Sequence, residues 1–301
     1  MQDRYKKAGA ETEKQIEQAK IKILKTCQNL SRLQFPDITE LQNRLEERIN
    51  AVTKELQDFF AERKGLKHGV VAVLLLCGLC WAYAADFYRA DDIAVAAMSS
   101  AADVTVEQKG NTLAFIPENA ETGLIFYPGG KVEYTAYAPL MRALADNGVL
   151  GVLVWMPLNL AVLDMNAADG IPEQYPQIKH WYIGGHSLGG SMAASHAEKN
   201  ASAYDGLVLL ASYSTTDLSA SGLPVISIYG SEDGVLNMEK YAEYRRNLPA
   251  AFEEHIIEGG CHAGFGSYGP QDGDGVPTMT GEEQIAETVR LLTAFFKSTQ
   301  E

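Results

Sequence analysis

Cysteine is scarce in this chain and badly spaced for cross-linking. Its 301 residues contain four, Cys27, Cys77, Cys80 and Cys261, and the intervals are not those of a disulfide framework. Cys77 and Cys80 form a C-x-x-C inside an apolar run. There they read as two small hydrophobes, with S-acylation as the alternative; the βαβ surroundings of a redox pair are missing. Positive charge is also scarce over most of the chain. Residues 69–301 hold 11 Lys and Arg against 28 Asp and Glu. So acidic a body repels phosphates, which argues against any nucleic acid partner. Residues 1–68 reverse the balance, 14 against 11, so the net charge of −14 is unevenly distributed.

What is present falls into three segments, 1–65, 66–85 and 86–301. In the first, Ile16, Ala19, Ile23, Cys27 and Leu30 recur at intervals of three or four, and Leu41, Leu45, Ile49, Val52, Leu56 and Phe59 do so again. Each set falls on one helical face. Asp37 with Glu40 reads as a capping box opening the second helix. A helical hairpin or a self-associating coiled coil fits the pattern, and a poorly ordered charged extension is the alternative.

Residues 69–85 carry no charge. Seventeen helical residues reach about 25 Å, slightly short of a hydrocarbon core of about 30 Å. Leu66 and Phe87 extend the span if Lys67 and His68 snorkel outward. Arg63, Lys64 and Lys67 precede the run, and Asp86, Asp91 and Asp92 follow it. The expectation is a single-pass signal-anchor over 66–85, with a cytoplasmic N-terminus and the rest extracytoplasmic. A cleaved signal peptide is the rival, since Ala82-Tyr83-Ala84 resembles a cleavage site; the 68 residues upstream are far too long for an ordinary n-region.

Beyond residue 103 the pattern alternates. Strand-like runs lie at 104–107, 112–116, 123–127, 150–155, 180–183, 207–211, 225–229 and 254–257, the first two flanking a hairpin turn. Helix-like runs lie at 134–146, 187–199, 238–247 and 282–297. The expected class is α/β, with a mostly parallel sheet covered by helices on both faces.

The chemistry is written around Gly185-His186-Ser187-Leu188-Gly189. A G-x-S-x-G alone is a weak signal. Here a strand runs into it and a helix leaves it, which is where a nucleophile elbow belongs. A serine hydroxyl needs a base within reach. His262 lies in a Gly-rich loop after the last strand and is the best of six histidines; His186 adjoins the serine but is expected to diverge from it. Asp233, just after the strand at 225–229, is the expected orienting acid, with Glu232 as rival. The oxyanion donors are expected to be the Leu188 amide and that of Gly130 or Lys131, in Pro128-Gly129-Gly130-Lys131. Tyr134, Tyr268 and His186 are the candidates for lining the substrate. The 212–224 connection is too short and polar to act as a lid. Asp272 and Asp274 lack the further ligands of a Ca²⁺ site and read as a turn. No metal or cofactor is called for.

These segments resemble the α/β-hydrolase superfamily, and within it the alpha/beta hydrolase fold-5 group, which has dienelactone-hydrolase-like relatives. The resemblance rests on Asp86-Phe87-Tyr88-Arg89-Ala90-Asp91, Tyr127-Pro128-Gly129-Gly130-Lys131-Val132, the serine motif, Tyr229-Gly230-Ser231-Glu232-Asp233-Gly234 and residues 259–274. It covers 86–299 and leaves out 1–65. It implies an α/β-hydrolase fold and ester or related acyl hydrolysis; the short 212–224 connection makes the lid minimal and small acyl esters the expected substrates. Two other functions stay open: thioester or peptide cleavage by the same residues, and a silent scaffold binding through its N-terminal helices.

Overall fold

The computed structural model describes Lys54, Gly78 and residues 86–101 and 103–300. Apart from Lys54 and Gly78, the expected N-terminal helices and the expected membrane segment lie outside the described residues. Among the described residues no helix is long and apolar enough to cross a membrane. The chain divides into two compact units, Met1–Asp86 and Phe87–Glu301, and the second holds the sheet.

Among the described residues eight strands form one sheet in the order β1-β2-β4-β3-β5-β6-β7-β8. They are β1 Val104–Lys109, β2 Thr112–Pro117, β3 Thr122–Tyr127, β4 Val149–Val154, β5 His180–His186, β6 Gly206–Leu210, β7 Val225–Gly230 and β8 Glu253–Ile257. The β1–β2 hairpin is antiparallel, with Lys109 opposite Thr112. Gly110 takes φ +58 in its two-residue turn, a conformation cheap only for glycine. β2 pairs antiparallel with β4; β4, β3, β5, β6, β7 and β8 are mutually parallel.

Strands buried on both faces need apolar side chains throughout, and β4 and β6 are buried at every position. Alternation then divides each strand between two layers. Leu124 and Phe126 of β3 join the main core cluster. Two helices supply the rest of that layer: α2, Ala138–Asp146, and α5, Gly281–Ser298. Ile285, Val289, Leu292 and Phe296 of α5 recur at intervals of three and four and are all buried there. A complete capping box between Thr280 and Glu283 starts the helix. Helix α3, Leu188–Lys199, follows β5 directly, and α4 spans Met238–Tyr244. A fifth helix, α1 at Asp92–Ala97, has no counterpart in the sequence pattern. Six residues are too few to display a helical period; only the Asp91 cap, which accepts from Ala94 N–H at 3.0 Å, marks it.

The connection from β3 leads through α2 to β4 on one side, and that from β5 leads through α3 to β6 on the other. The strand order therefore reverses between β3 and β5. In an open parallel sheet, the crevice at the carboxyl ends of such a pair is where ligands bind.

Candidate active site

Ser187 sits at that reversal, on the bend between β5 and α3. Its backbone takes φ +51 and ψ −121, a strained conformation for a residue with a side chain. The neighbouring glycines are demanded by contact. A Cβ on Gly189 would meet the Pro128 and Tyr127 carbonyl oxygens at 2.3 Å, and one on Gly185 would meet Tyr127 O and the Gly189 carbonyl carbon at 2.6 Å. The bend is tied down by Ser187 N–H donating to Leu210 O at 2.9 Å and by Ser212 Oγ donating to Ser187 O at 2.7 Å.

The loops after β7 and β8 bring together a carboxylate and an imidazole. His262 Nδ1 and Asp233 Oδ2 are 2.9 Å apart, and both side chains are 1% exposed. The other Asp233 oxygen accepts from Val235 N–H at 2.9 Å and Leu236 N–H at 2.7 Å, so the carboxylate is aimed. Glu232, the rival acid, is exposed and accepts from Ser231 Oγ instead. With Nδ1–H donated to Asp233, His262 Nε2 is left as the acceptor. It is buried and has no hydrogen-bond partner. Gln284 of α5 grips the backbone just before His262, its Oε1 accepting from Cys261 N–H at 3.0 Å and its Nε2 donating to Cys261 O at 2.8 Å. The Cys261 thiol is not a rival nucleophile: burial, with Asp274 adding to it, pushes its pKa up to about 11.

The two expected oxyanion donors, Leu188 and Gly130, lie near one another. Leu188 opens α3, so its N–H has no intrahelical acceptor. Gly130 lies against it; a Cβ there would come within 3.0 Å of the Leu188 side chain. Lys131, the alternative donor, is corrected by its own hydrogen bond. Its N–H donates to Asn159 O at 2.8 Å and is occupied.

Two of the expected lining residues, His186 and Tyr268, are buried. His186 is fully buried beneath the site, its ring 4.4 Å from that of His262, and cannot touch a substrate. Burial first, and then the neighbouring His262, hold its pKa well below the ordinary imidazole range. Tyr134 donates to Gln108 on β1 at 3.0 Å and points toward the sheet edge. Tyr268 is buried, 5.6 Å from the ring of Tyr88 and 6.4 Å from that of Tyr137, with its hydroxyl donated to Gln271. It forms the layer behind the site.

One residue of the site is absent from the sequence expectation: Tyr137, which is fully buried. Its Oη accepts from Gly129 N–H at 3.0 Å and lies 2.8 Å from His186 Nδ1. Donation to Nδ1 gives the hydroxyl proton an acceptor and makes the neutral His186 the Nε2–H tautomer. The Gly129–Gly130 loop is thereby tied to the residue before the serine. No motif signals this; Tyr137 reads as one aromatic among several near the start of a helix.

No curated protein matches the chain. Similar solved structures include a dienelactone hydrolase from Anabaena variabilis, at 15% identity over 65% of this chain and 98% of that one, with a TM-score of 0.49. Est1E from Butyrivibrio proteoclasticus is 12% identical over 65% of this chain and 100% of its own, with a TM-score of 0.47. The MGS-MChE2 alpha/beta hydrolase enzyme, from a lagoon sediment metagenome of Mar Chica, Morocco, is 16% identical over 65% and 100%, with a TM-score of 0.49. The model of the alpha/beta hydrolase family matches residues 123–286, more than half of the chain and all of the strands from β4 to β8; the chain belongs to the alpha/beta hydrolase family.

Proposed function

We propose that the protein is a serine hydrolase acting on small acyl esters through an acyl-enzyme. Ser187 attacks the acyl carbonyl, and His262 Nε2 takes its proton. Asp233 holds the imidazole tautomer and stabilises the imidazolium. The Leu188 and Gly130 amides hold the oxyanion. His262 then returns the proton to the leaving alkoxide, and water releases the acid by the same steps in reverse. The observation that carries this reading is the buried Asp233–His262 pair with an unpartnered Nε2, taken together with a serine on a strained strand–helix bend. Cleavage of thioesters or peptides by the same residues, and a silent scaffold, are outcomes of the same tests.

The substrate preference rests on the β6–β7 connection. Residues 211–224 contain no helix or strand and offer no lid to fold over an acyl chain. Each methylene left in water forgoes about 0.8 kcal/mol of binding. A p-nitrophenyl ester series on the full chain tests both parts. Rates are expected to fall from acetate to octanoate, with no jump at the micelle threshold. Ser187→Ala is expected to lose on the order of 10⁴-fold or more in kcat with its melting temperature little changed. Near-normal turnover by that variant would remove Ser187 as the nucleophile, and a rate rising steadily with chain length would remove the short-chain preference.

The same reading has the protein anchored through 66–85 with the hydrolase unit extracytoplasmic. What supports it is the charge-free run and its flanking charges. Protease added to intact cells is then expected to digest the hydrolase unit; protection until lysis would reverse the orientation, and a soluble species beginning near Ala85 would favour cleavage.

A further inference from the structure

The segment after the His262 loop carries a carboxylate used in an unusual way. Asp274 accepts four backbone N–H groups. Its Oδ1 takes those of Gly234 at 3.1 Å, His262 at 3.1 Å and Gly275 at 2.8 Å. Its Oδ2 takes that of Ala263 at 2.8 Å. One donor directly follows Asp233, and two come from His262 and the residue after it. A single side chain therefore spans both loops that present the Asp233–His262 pair. The backbone is close-packed there: a Cβ on Gly275 would meet Glu232 O at 1.9 Å, and one on Gly234 would meet Gly273 O at 2.5 Å. Burial works against the Asp274 charge, and the four amides outweigh it, holding its pKa below the ordinary carboxylate range.

We propose that Asp274 is a positioning residue, whose carboxylate sets the distance between the Asp233 and His262 loops and so maintains the 2.9 Å bond between them. It touches no reacting atom. Its contribution is geometric, and misplacement by about 1 Å costs on the order of 10²-fold in rate. Other ties keep the loops folded without it. Glu232 N–H donates to Gly260 O at 2.8 Å, Ser231 N–H to Ile257 O at 3.0 Å, and Gly259 N–H to Ser231 Oγ at 2.8 Å. Asparagine at 274 would keep the size but replace one oxygen by an NH₂ group. With its oxygen toward the three donors at Oδ1, that group faces Ala263 N–H, donor against donor, and pushes on the His262 loop.

The proposal rests on the triad reading for its kinetic consequence but not for its geometry, and the test separates them. In the full chain labelled with ¹⁵N-histidine, the proton shared by His262 and Asp233 gives a far-downfield resonance, assigned by its loss in His262→Gln. In Asp274→Asn this resonance is expected to move upfield or vanish into exchange. The kcat for p-nitrophenyl acetate is expected to fall about 10²-fold with KM little changed. Asp272→Asn, which alters the neighbouring carboxylate outside the network, is expected to change neither. Should Asp274→Asn fail to fold, Asp274→Glu, which displaces the carboxylate by one methylene, is read in the same way. An unchanged resonance, or an equal effect from Asp272→Asn, overturns the proposal. A chain inactive on esters whose resonance still responds to residue 274 sinks the proposed function and leaves this inference standing. An esterase that needs Ser187 but ignores residue 274 does the reverse.

Discussion

His186 shows what burial does to a single residue in this site. It is the residue before the serine, yet it faces inward, against His262 and Tyr137. Burial keeps its imidazole neutral. Neutrality carries a pH consequence. Because its folded pKa lies below the unfolded value of about 6.5, the unfolded chain takes up a proton on acidification that the folded chain refuses. The stability associated with His186 is therefore present above about pH 6.5 and is lost as pH falls below it, by up to about 1.4 kcal/mol per pH unit. His196, also held low chiefly by burial, adds in the same direction. His186→Gln keeps an acceptor for the Tyr137 hydroxyl and removes one titration. Denaturant unfolding between pH 7.5 and 5 is expected to show a shallower decline for that variant than for the parent. An identical slope would mean that His186 titrates normally in the folded protein.

The strands were legible in the sequence because each is a short apolar run between turn residues. β3, β5, β6 and β7 lie within a residue or three of the runs that announced them. Helix ends were less so: 134–146 begins as a 3-10 turn, Tyr134–Tyr137, before α2, and 238–247 ends as another after α4. The site divides in the same way. Ser187, Asp233 and His262 stand out because they follow strands in the order that the chemistry needs, and the structure brings Asp233 and His262 into contact. The surroundings of Tyr134 and Tyr268 are not legible, because spacing along the chain does not say which way a side chain in a loop or first turn points. Lys131 was undecidable for a similar reason, since only the folded 156–160 segment reveals the carbonyl that takes its amide. Asp274 reads as a turn residue because the four N–H groups it accepts belong to the backbone, and backbone groups leave no mark in a sequence.

For the molecule as a whole, the sheet does the organising. The reversal of strand order between β3 and β5 brings the Gly130 loop and the Ser187 bend to the same crevice, and the β7 and β8 loops add the carboxylate and the imidazole. Tyr88 is fastened to this end of the sheet. Tyr88 N–H donates to Lys131 O at 2.8 Å, and the Tyr88 hydroxyl accepts from Asp272 N–H at 3.0 Å. The central claim is that this crevice activates Ser187 as a nucleophile. Its most direct test is a fluorophosphonate, which phosphonylates a serine only where a base and oxyanion donors act on it together. After reaction with the full chain, peptide mass spectrometry is expected to find a single adduct on Ser187. The adduct is expected to be absent from Ser187→Ala and slowed by orders of magnitude in His262→Gln. No adduct in the parent chain, an adduct on another residue, or labelling at an unchanged rate without His262 would contradict it.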